Sequence, residues 1–246
     1  YYRVDAEKMG LYIPGYEIQY VTFAFDKFND NSTIAVYRFD NSVVDKSGNH
    51  SGTWSGTENY VDGLIEKAVD INSSSYINLT PEIIPFEGSF SISCFVNADY
   101  LDSNSNNGAI LARGRITTGN VNYGFAFSTS TSGLQIWRFS ASGVGGILRS
   151  SDTITTGTFY HTVVTYDYST GTANLYVDKS NVGTKDIGND PIGFYSGYDG
   201  GVFRIGDYSS LSGFAPFNGK IDRMRIFNRV LTQTEVNELY QEGFGA

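Results

Sequence analysis

Cysteine, methionine, tryptophan, histidine and proline are all scarce in this sequence, which has one Cys, two Met, two Trp, two His and five Pro in 246 residues. Since Cys94 is the only cysteine, the chain can form no internal disulfide and no cysteine-based zinc site. No apolar run reaches the roughly 18 residues that a membrane-spanning helix needs, so we expect no membrane insertion. These absences exclude a disulfide-stabilised scaffold and a helical membrane protein.

Positive charge is also in short supply. The 17 Lys and Arg residues stand against 26 Asp and Glu residues, which gives a formal net charge of −9, and the basic residues form no cluster. A nucleic-acid-binding protein needs a basic stripe to replace the counterions on phosphates. We therefore expect no nucleic-acid partner, whereas an acidic surface is compatible with bound Ca²⁺.

Glycine and aromatic residues, in contrast, are abundant, with 28 Gly, 18 Tyr and 17 Phe. From Thr33 onward, short apolar runs alternate with turns rich in Gly, Asn, Ser and Asp, at the spacing of an antiparallel sandwich. Phe90–Val96 shows the period of two most clearly, because its apolar residues fall on one face and its serines on the other. The pattern predicts an all-β fold.

One helix is predicted at the C-terminal end. Thr232 and Glu235 have the spacing of a capping box, in which each side chain accepts a hydrogen bond from the other residue's backbone N–H. Leu231 and Val236 are placed as a hydrophobic staple, and Gly243 is a plausible stop.

Residues 1–31 differ from the rest of the chain, and we interpret them as an N-terminal extension or connector that precedes a single domain at 32–246. Tyr16–Phe25 within this extension is predicted to form a strand that docks on the main domain or on a neighbouring subunit. The chain begins with Tyr1 rather than Met, so we expect a processed chain or a segment of a longer one.

Six blocks of sequence, taken in order, resemble the laminin-G-like branch of the concanavalin A-like lectin/glucanase superfamily. The resemblance spans residues 33 to 243 and rests on Tyr37–Asp40, Asp45–Asn49, Gly63–Leu79, Phe90–Val96, Tyr160–Asp178 and Phe217–Arg229. It implies a two-sheet antiparallel jelly-roll sandwich with a short C-terminal helix. The chain departs from the family pattern at Phe95, where Trp is usual, and at Lys179, where Gly is usual.

A metal site is the first candidate for function. Asp222 alternates with Met224 and Ile226 and is therefore expected on the buried face, where a carboxylate needs a partner. In a jelly roll of this kind the first and last strands can be adjacent, which would bring Asp40 close to Asp222. The resemblance implies a structural Ca²⁺ near this edge, with Asn49 as a further ligand. The alternative is that Asp222 caps a turn and Asp40 faces water.

A sugar site is the second candidate. Trp137 and Phe139 alternate with an apolar pair on the same strand, so we expect both rings on the outer surface, where they would stack on a sugar ring. The alternative is that they pack across strands or lie beneath the N-terminal extension. Further ligand contacts are expected from loop residues Tyr195, Tyr198 and Tyr208.

Hydrolysis has no candidate residues. Related glucanases carry a Glu-x-Asp-x-x-Glu pattern on one strand, and no strand of this sequence has it. Glu235 and Glu238 belong to the helix, and His161 is expected to be a hydrogen-bonded structural residue. We therefore expect no enzymatic activity.

Two functions remain open at this point. The first is a non-catalytic, lectin-like module that binds glycans or another surface polymer, in an extracellular, cell-surface or virion-surface protein. The second is a structural or decoration subunit of a phage particle or surface appendage, assembled through residues 1–31. Fold class alone does not decide between them.

Overall fold

The computed structural model describes residues 26–72, 74–79, 83–101, 108–118, 121–131, 133–140, 145–151, 154–192, 202–207 and 216–245. Within these ranges the chain forms fifteen strands and one helix. In chain order they are β1 (Thr33–Tyr37), β2 (Thr53–Ser55), β3 (Tyr60–Asp62), β4 (Lys67–Ile71), β5 (Tyr76–Asn78), β6 (Phe90–Ala98), β7 (Ala109–Thr118), β8 (Val121–Ser130), β9 (Gly133–Phe139), β10 (Gly145–Arg149), β11 (Tyr160–Asp167), β12 (Thr172–Val177), β13 (Ser180–Asp186), β14 (Arg204–Ile205), β15 (Gly219–Phe227) and α1 (Gln233–Phe244).

The strands form two antiparallel sheets. The first sheet has the order β13-β12-β11-β6-β15-β4-β3, with β1 also paired to β15, and the second has the order β10-β9-β8-β7-β14-β5-β2. The prediction of an all-β, two-sheet antiparallel sandwich with a short C-terminal helix is confirmed. No helix among the described residues is long and apolar enough to span a membrane.

The main core lies between the two sheets. The alternate residues Phe90, Ile92, Cys94 and Val96 of β6 all belong to it, as their spacing predicted. The ring of Phe90 on the first sheet lies 5.5 Å from the ring of Phe125 on the second, in an edge-to-face contact. Each large apolar side chain buried in this way contributes about 1.5–3 kcal/mol to stability.

Helix α1 begins where the sequence predicted and ends later. Thr232 is the N-cap, and both hydrogen bonds of its capping box with Glu235 are present. The helix continues through Gly243, so the predicted stop is wrong, and Gly245 is the C-cap. A Cβ on Gly243 would come within 2.6 Å of side-chain atoms of Leu64 and Phe95, so glycine is required here for close packing.

The helix covers the outer face of the first sheet. Val236 and Leu239 of α1 pack there with Phe227, Val163 and Tyr176 of the sheet. This contact forms a second layer of apolar packing behind the sandwich.

The last residues of the predicted N-terminal extension contact the same region. The ring of Phe28 lies 5.6 Å from that of Phe227, and Asp30 Oδ2 lies 2.6 Å from Arg229 Nη2. Lys27 Nζ lies 3.2 Å from Glu242 Oε1 on α1. Residues 26–31 are therefore fixed to the domain, whereas residues 1–25, with the predicted strand Tyr16–Phe25, lie outside the described residues.

One edge of β15 is shared between two strands. Residues Gly219–Ile221 pair with β4, and residues Met224–Phe227 pair with β1. The first and last strands of the sandwich are therefore adjacent, as expected. Between the two pairings, the register of β15 against β6 shifts between Asp222 and Arg225, which marks a β-bulge.

The bulge changes the face on which Asp222 lies. Ile221 and Met224, on either side of it, both belong to the main core. Asp222 instead lies directly opposite Phe95 of β6, a residue outside that core cluster. The prediction that Asp222 shares the face of Met224 is therefore wrong, because alternation holds only where the register is regular.

Candidate functional site

The structure brings Asp40 and Asp222 to one corner, where β1, β15 and the turn between β3 and β4 meet. We call this group the acid–arginine corner and define it as Arg38, Asp40, Glu66, Asp222 and Arg223. It contains three carboxylates and two guanidinium groups from sequence positions that are far apart.

Asp222 is the most deeply buried carboxylate of the corner, with an exposed fraction of 0%. Its Oδ2 accepts a hydrogen bond of 2.9 Å from the backbone N–H of Ile65. A Cβ on Gly63 would lie 2.7 Å from the same oxygen, so glycine lets this turn approach the carboxylate closely. Burial raises the pKa of Asp222 to about 7, against the opposing effects of the Ile65 N–H and of Arg223.

Arg38 holds the other two carboxylates in place. Its Nε lies 2.9 Å from Asp40 Oδ2, and its Nη2 donates a 2.9 Å hydrogen bond to Glu66 Oε2. The second oxygen of Asp40, Oδ1, accepts a hydrogen bond of 3.2 Å from the backbone N–H of Lys67. Burial raises the pKa of Asp40, whereas a hydrogen bond from Asp40 lowers the pKa of Glu66, the more exposed of the two.

Arg223 lies at the centre of the corner. Its Nη2 lies 3.3 Å from Glu66 Oε2 and 3.6 Å from Asp40 Oδ2, and its Nε lies 3.8 Å from Asp222 Oδ1. The residue is at the β-bulge and has φ of +50°, a left-handed conformation that is unfavourable for Arg. From this position one guanidinium contacts three carboxylates.

This arrangement does not fit the predicted Ca²⁺ site. Calcium takes six to eight oxygen ligands at about 2.3–2.6 Å. Here Asp40 and Asp222 already face guanidinium groups and backbone N–H donors, which repel a cation. Within the described part of the chain, no group of three or more His, Cys, Asp or Glu side chains is arranged to hold a metal ion.

Asn49, the third predicted ligand, belongs to a different feature. It is exposed, and its backbone N–H donates a 3.3 Å hydrogen bond to Oδ2 of Asp45. Asp45 is buried and also accepts hydrogen bonds from the backbone N–H groups of Val36, Ser47 and His50 at 2.8–3.0 Å. The loop is therefore organised by Asp45, a role that sequence reasoning missed although Asp followed by Ser two residues later is typical of such turns.

A cavity of about 160 Å³ opens beside the acid–arginine corner at the rim of the sandwich. We call it the rim cavity. Val44 is half exposed at this position, with an exposed fraction of 50%. The cavity is lined by Arg38, Asp40, Ser42, Val44, Lys46 and Glu66. It thus offers hydrogen-bond donors, acceptors and one apolar surface.

The predicted aromatic platform is on the expected face but is not exposed. Leu134 and Ile136 belong to the main core, whereas Trp137 and Phe139 belong to a separate cluster on the other side of β9. Trp137 is only 1% exposed and Phe139 only 8%. The expectation that they form an outer platform is therefore wrong, and the alternative of cross-strand packing agrees with Ala126 of β8, which lies directly opposite Trp137 and belongs to the same cluster.

The three predicted loop contacts, Tyr195, Tyr198 and Tyr208, lie outside the described residues. Their role as ligand contacts stays a prediction.

His161 lies between the first sheet and α1 rather than in a cleft. It is fully buried, and its Nε2 is 2.8 Å from the hydroxyl of Ser93. Burial lowers the pKa of His161 to about 3, so the ring is neutral at physiological pH. Glu235 is engaged by the N-cap and by Arg229, at 2.6 Å. Both residues thus have structural partners.

Three solved structures illustrate what the chain is similar to. The first is domain 4 of AbnA, a GH43 extracellular arabinanase from Geobacillus stearothermophilus, which was solved in complex with arabinotriose. It is 24% identical to this chain, and the match has a TM-score of 0.66 and covers 85% of this chain and 98% of that one. The binding domain of Paraclostridial Mosquitocidal Protein 1 is 18% identical, with a TM-score of 0.65 over 87% of this chain and 53% of that one. The binding domain of Botulinum Neurotoxin DC in complex with SialylT is 14% identical, with a TM-score of 0.63 over 86% of this chain and 52% of that one.

These likenesses show the fold. The chain spans about half the length of the two toxin binding domains and nearly all of the arabinanase domain. A search of curated protein sequences finds no match.

A family model for laminin-G-like domains of the concanavalin A-like lectin/glucanase superfamily matches residues 72–237, which is more than half of the chain. With the two antiparallel sheets, this match shows that the chain belongs to the concanavalin A-like lectin/glucanase superfamily.

Proposed function

We propose that this domain is a non-catalytic carbohydrate-recognition module and that its glycan site is the rim cavity. The observation that carries the proposal is the lining of the cavity, which combines ion-paired side chains with the exposed Val44. A sugar presents hydroxyl groups, which both donate and accept hydrogen bonds, and apolar C–H faces. The cavity offers a matching group for each.

The ion pairs favour binding because they hold the polar groups in position. Arg38 fixes the carboxylates of Asp40 and Glu66 at 2.9 Å each. Side chains that are already ordered lose less conformational entropy when a ligand binds. Val44 supplies apolar contact area at the same rim, where Lys46 adds an exposed ammonium group.

The structural neighbours support the ligand class. The AbnA domain was solved with arabinotriose, and the neurotoxin DC domain with SialylT. The first is domain 4 of an extracellular arabinanase, and the second is the binding domain of a neurotoxin. By this likeness we propose that the chain also acts as a binding domain of a secreted or surface protein.

The test is a glycan array on the full chain, followed by calorimetric titration of the best ligand class against matched variants. We expect Lys46→Ala to weaken binding about tenfold, since it removes one charge-assisted hydrogen bond while leaving the buried ion pairs intact. Lys185→Ala is the control, because Lys185 lies on β13, at the opposite edge of the first sheet from β3 and β4. The control should bind like the wild type.

Two results would contradict the proposal. Absence of binding to every polysaccharide tested would contradict the recognition role itself. Equal affinities of wild type and Lys46→Ala would leave recognition standing but place it elsewhere than in the rim cavity.

A further inference from the structure

Asp45 is a buried carboxylate between two exposed residues. It is 1% exposed, whereas Val44 before it is 50% exposed and Lys46 after it is also exposed. Both of these neighbours line the rim cavity. We call residues 43–52 the Asp45 loop. A carboxylate is costly to bury unless hydrogen bonds compensate its charge, so the partners of Asp45 indicate what it does.

These partners are backbone N–H groups of β1 and of the loop itself. Asp45 Oδ1 accepts hydrogen bonds from Val36 at 2.8 Å and from Ser47 at 2.9 Å. Its Oδ2 accepts hydrogen bonds from His50 at 3.0 Å and from Asn49 at 3.3 Å, and the Ser47 hydroxyl donates to the same oxygen. Hydrogen bonds to an ionised oxygen are roughly twice as strong as those between neutral groups. One side chain therefore ties the Asp45 loop to β1 and closes its turn.

Backbone hydrogen bonds fix Lys46 to the same strand. The Lys46 N–H donates to the carbonyl oxygen of Val36 in β1 at 2.9 Å, and the Gly52 N–H donates to that of Val43 at 2.9 Å. Arg38, which follows β1, lines the same cavity. The pairing with β1 therefore sets the position of Lys46 relative to Arg38 and to the carboxylates that Arg38 holds.

We propose that Asp45 is a positioning residue of the glycan site, which contacts no ligand itself but fixes the loop that presents Val44 and Lys46 to the rim cavity. This inference rests on the proposed function and adds the residue on which the affinity of the site depends. A loop that is ordered before binding loses less conformational entropy on binding, so the same contacts give a higher affinity.

The first test is Asp45→Asn, which keeps the shape of the side chain but replaces one oxygen by an N–H donor. Whichever way the amide is turned, at least one backbone N–H group loses its acceptor. The probe is the oligosaccharide that the wild type binds most tightly on the glycan array, with arabinotriose among those tested. Calorimetric titration well below the Tm should show binding about tenfold weaker than that of the wild type, as for Lys46→Ala.

A double-variant cycle separates positioning from general stability. In the Asp45→Asn background, Lys46→Ala should weaken binding by less than about twofold, because the loop no longer presents Lys46 to the cavity. A full additional tenfold loss would show that the two residues act independently, and it would overturn the inference.

Asp178→Asn is the matched control. Asp178 also accepts a hydrogen bond from a backbone N–H, that of His161 at 2.9 Å, but it lies between β12 and β13, at the opposite edge of the first sheet from β3 and β4. This variant should lower the Tm and leave both the affinity and the tenfold effect of Lys46→Ala unchanged. A loss of affinity equal to that of Asp45→Asn would show that any destabilisation weakens binding, and it would contradict the specific role of Asp45.

Amide hydrogen exchange of the full chain tests the loop without a ligand. In Asp45→Asn, at least one of the N–H groups of Ser47 and His50 should exchange about tenfold faster, whereas those of Phe90–Val96 in β6 should exchange as in the wild type. Unchanged exchange of both loop N–H groups would overturn the inference, whether or not the wild type binds a glycan.

Ser47→Ala covers the case in which Asp45→Asn does not fold, because it removes the hydroxyl that donates to Asp45 and leaves the backbone donors in place. It should weaken binding about threefold, and binding as tight as that of the wild type would contradict the inference. Failure of the wild type to bind any glycan would contradict the proposed function. Glycan binding that depends on Lys46 but not on Asp45 or Ser47 would contradict this inference alone.

Discussion

At the scale of single residues, His161 and Asp222 respond to burial in opposite ways. The imidazole is packed 4.9 Å from the ring of Phe95 and 6.1 Å from that of Tyr240, and burial lowers its pKa to about 3. Burial also disfavours the charged form of Asp222, which raises the pKa of that carboxyl group to about 7. Their contributions to the pH dependence of stability therefore have opposite signs.

For His161, the unfolded chain takes up a proton below pH 6.5 and the folded chain does not until about pH 3. Its contribution thus destabilises the domain as the pH falls through this window. Between pH 7 and pH 5, we expect the free energy of unfolding of the wild type to fall by about 2 kcal/mol relative to that of His161→Gln. Urea unfolding of both proteins at the two pH values measures the difference, and a difference that does not change with pH would refute the assignment.

For Asp222, the folded chain takes up a proton near pH 7 and the unfolded chain only near pH 3.8. Its contribution stabilises the domain as the pH falls from 7 towards 4. Between pH 7 and pH 5, the free energy of unfolding of the wild type should therefore rise by about 2 kcal/mol relative to that of Asp222→Asn. The same urea experiment tests this, and the absence of any relative change between the two pH values would show that the carboxylate stays ionised in the folded state.

Individual residues were also where sequence reasoning had its clearest limits. It brought Asp40 and Asp222 together and expected a Ca²⁺ ion beside them, whereas the structure places the guanidinium groups of Arg223 and Arg38 there. The identity of that cation could not be read from local patterns, because it depends on residues more than 150 positions apart. Glu66 was missed for the same reason.

At the scale of elements, the alternation of apolar and polar residues predicted the buried face of a strand correctly only where the pairing register of that strand was regular. Phe90–Val96 has an unbroken register with its neighbour β11, and its core face was predicted correctly. In β15 the bulge after Asp222 arises where the paired strand changes from β4 to β1. Tertiary pairing sets that position, so no local signal in the sequence marked it.

Gly243 gives a prediction for helix α1. Replacing Gly by Ala inside a helix usually stabilises it by roughly 0.5–1 kcal/mol. Here the new methyl group would lie 2.6 Å from atoms of Leu64 and Phe95, so Gly243→Ala should lower the Tm instead. Gln241→Ala, at an exposed position of the same helix, should leave the Tm nearly unchanged.

The measurement is thermal unfolding followed by circular dichroism. The double variant Gly243→Ala with Leu64→Ala separates the steric effect, because it removes part of the obstruction. If Gly243→Ala alone raised the Tm, this result would contradict the close packing of α1 against the turn between β3 and β4.

At the scale of the whole molecule, the open question is whether the domain acts alone or in an assembly. Large apolar side chains exposed among the described residues are scattered, at Val44, Tyr100 and Phe244, and do not form the broad patch of a permanent interface. A recognition module that acts alone is expected to be a monomer in solution.

Light scattering on the full chain and on a chain that begins at Asp26 tests this expectation. Equal, monomeric masses would agree with a recognition module. An assembly of the full chain that dissolves when residues 1–25 are deleted would instead favour the structural or decoration role in a phage particle or surface appendage.

The ion pair between Lys27 and Glu242 has a consequence for how the sandwich can be joined to other polypeptides. It places the point where the chain enters the domain next to the helix on which it leaves, 3.2 Å apart at the side-chain tips. A unit with neighbouring entry and exit points can be spliced into a surface loop of a host protein without stretching that loop. The same proximity makes the sandwich of residues 26–245 suitable for circular permutation, with a short peptide joining Gly245 to Asp26 and new ends opened in a turn far from the acid–arginine corner.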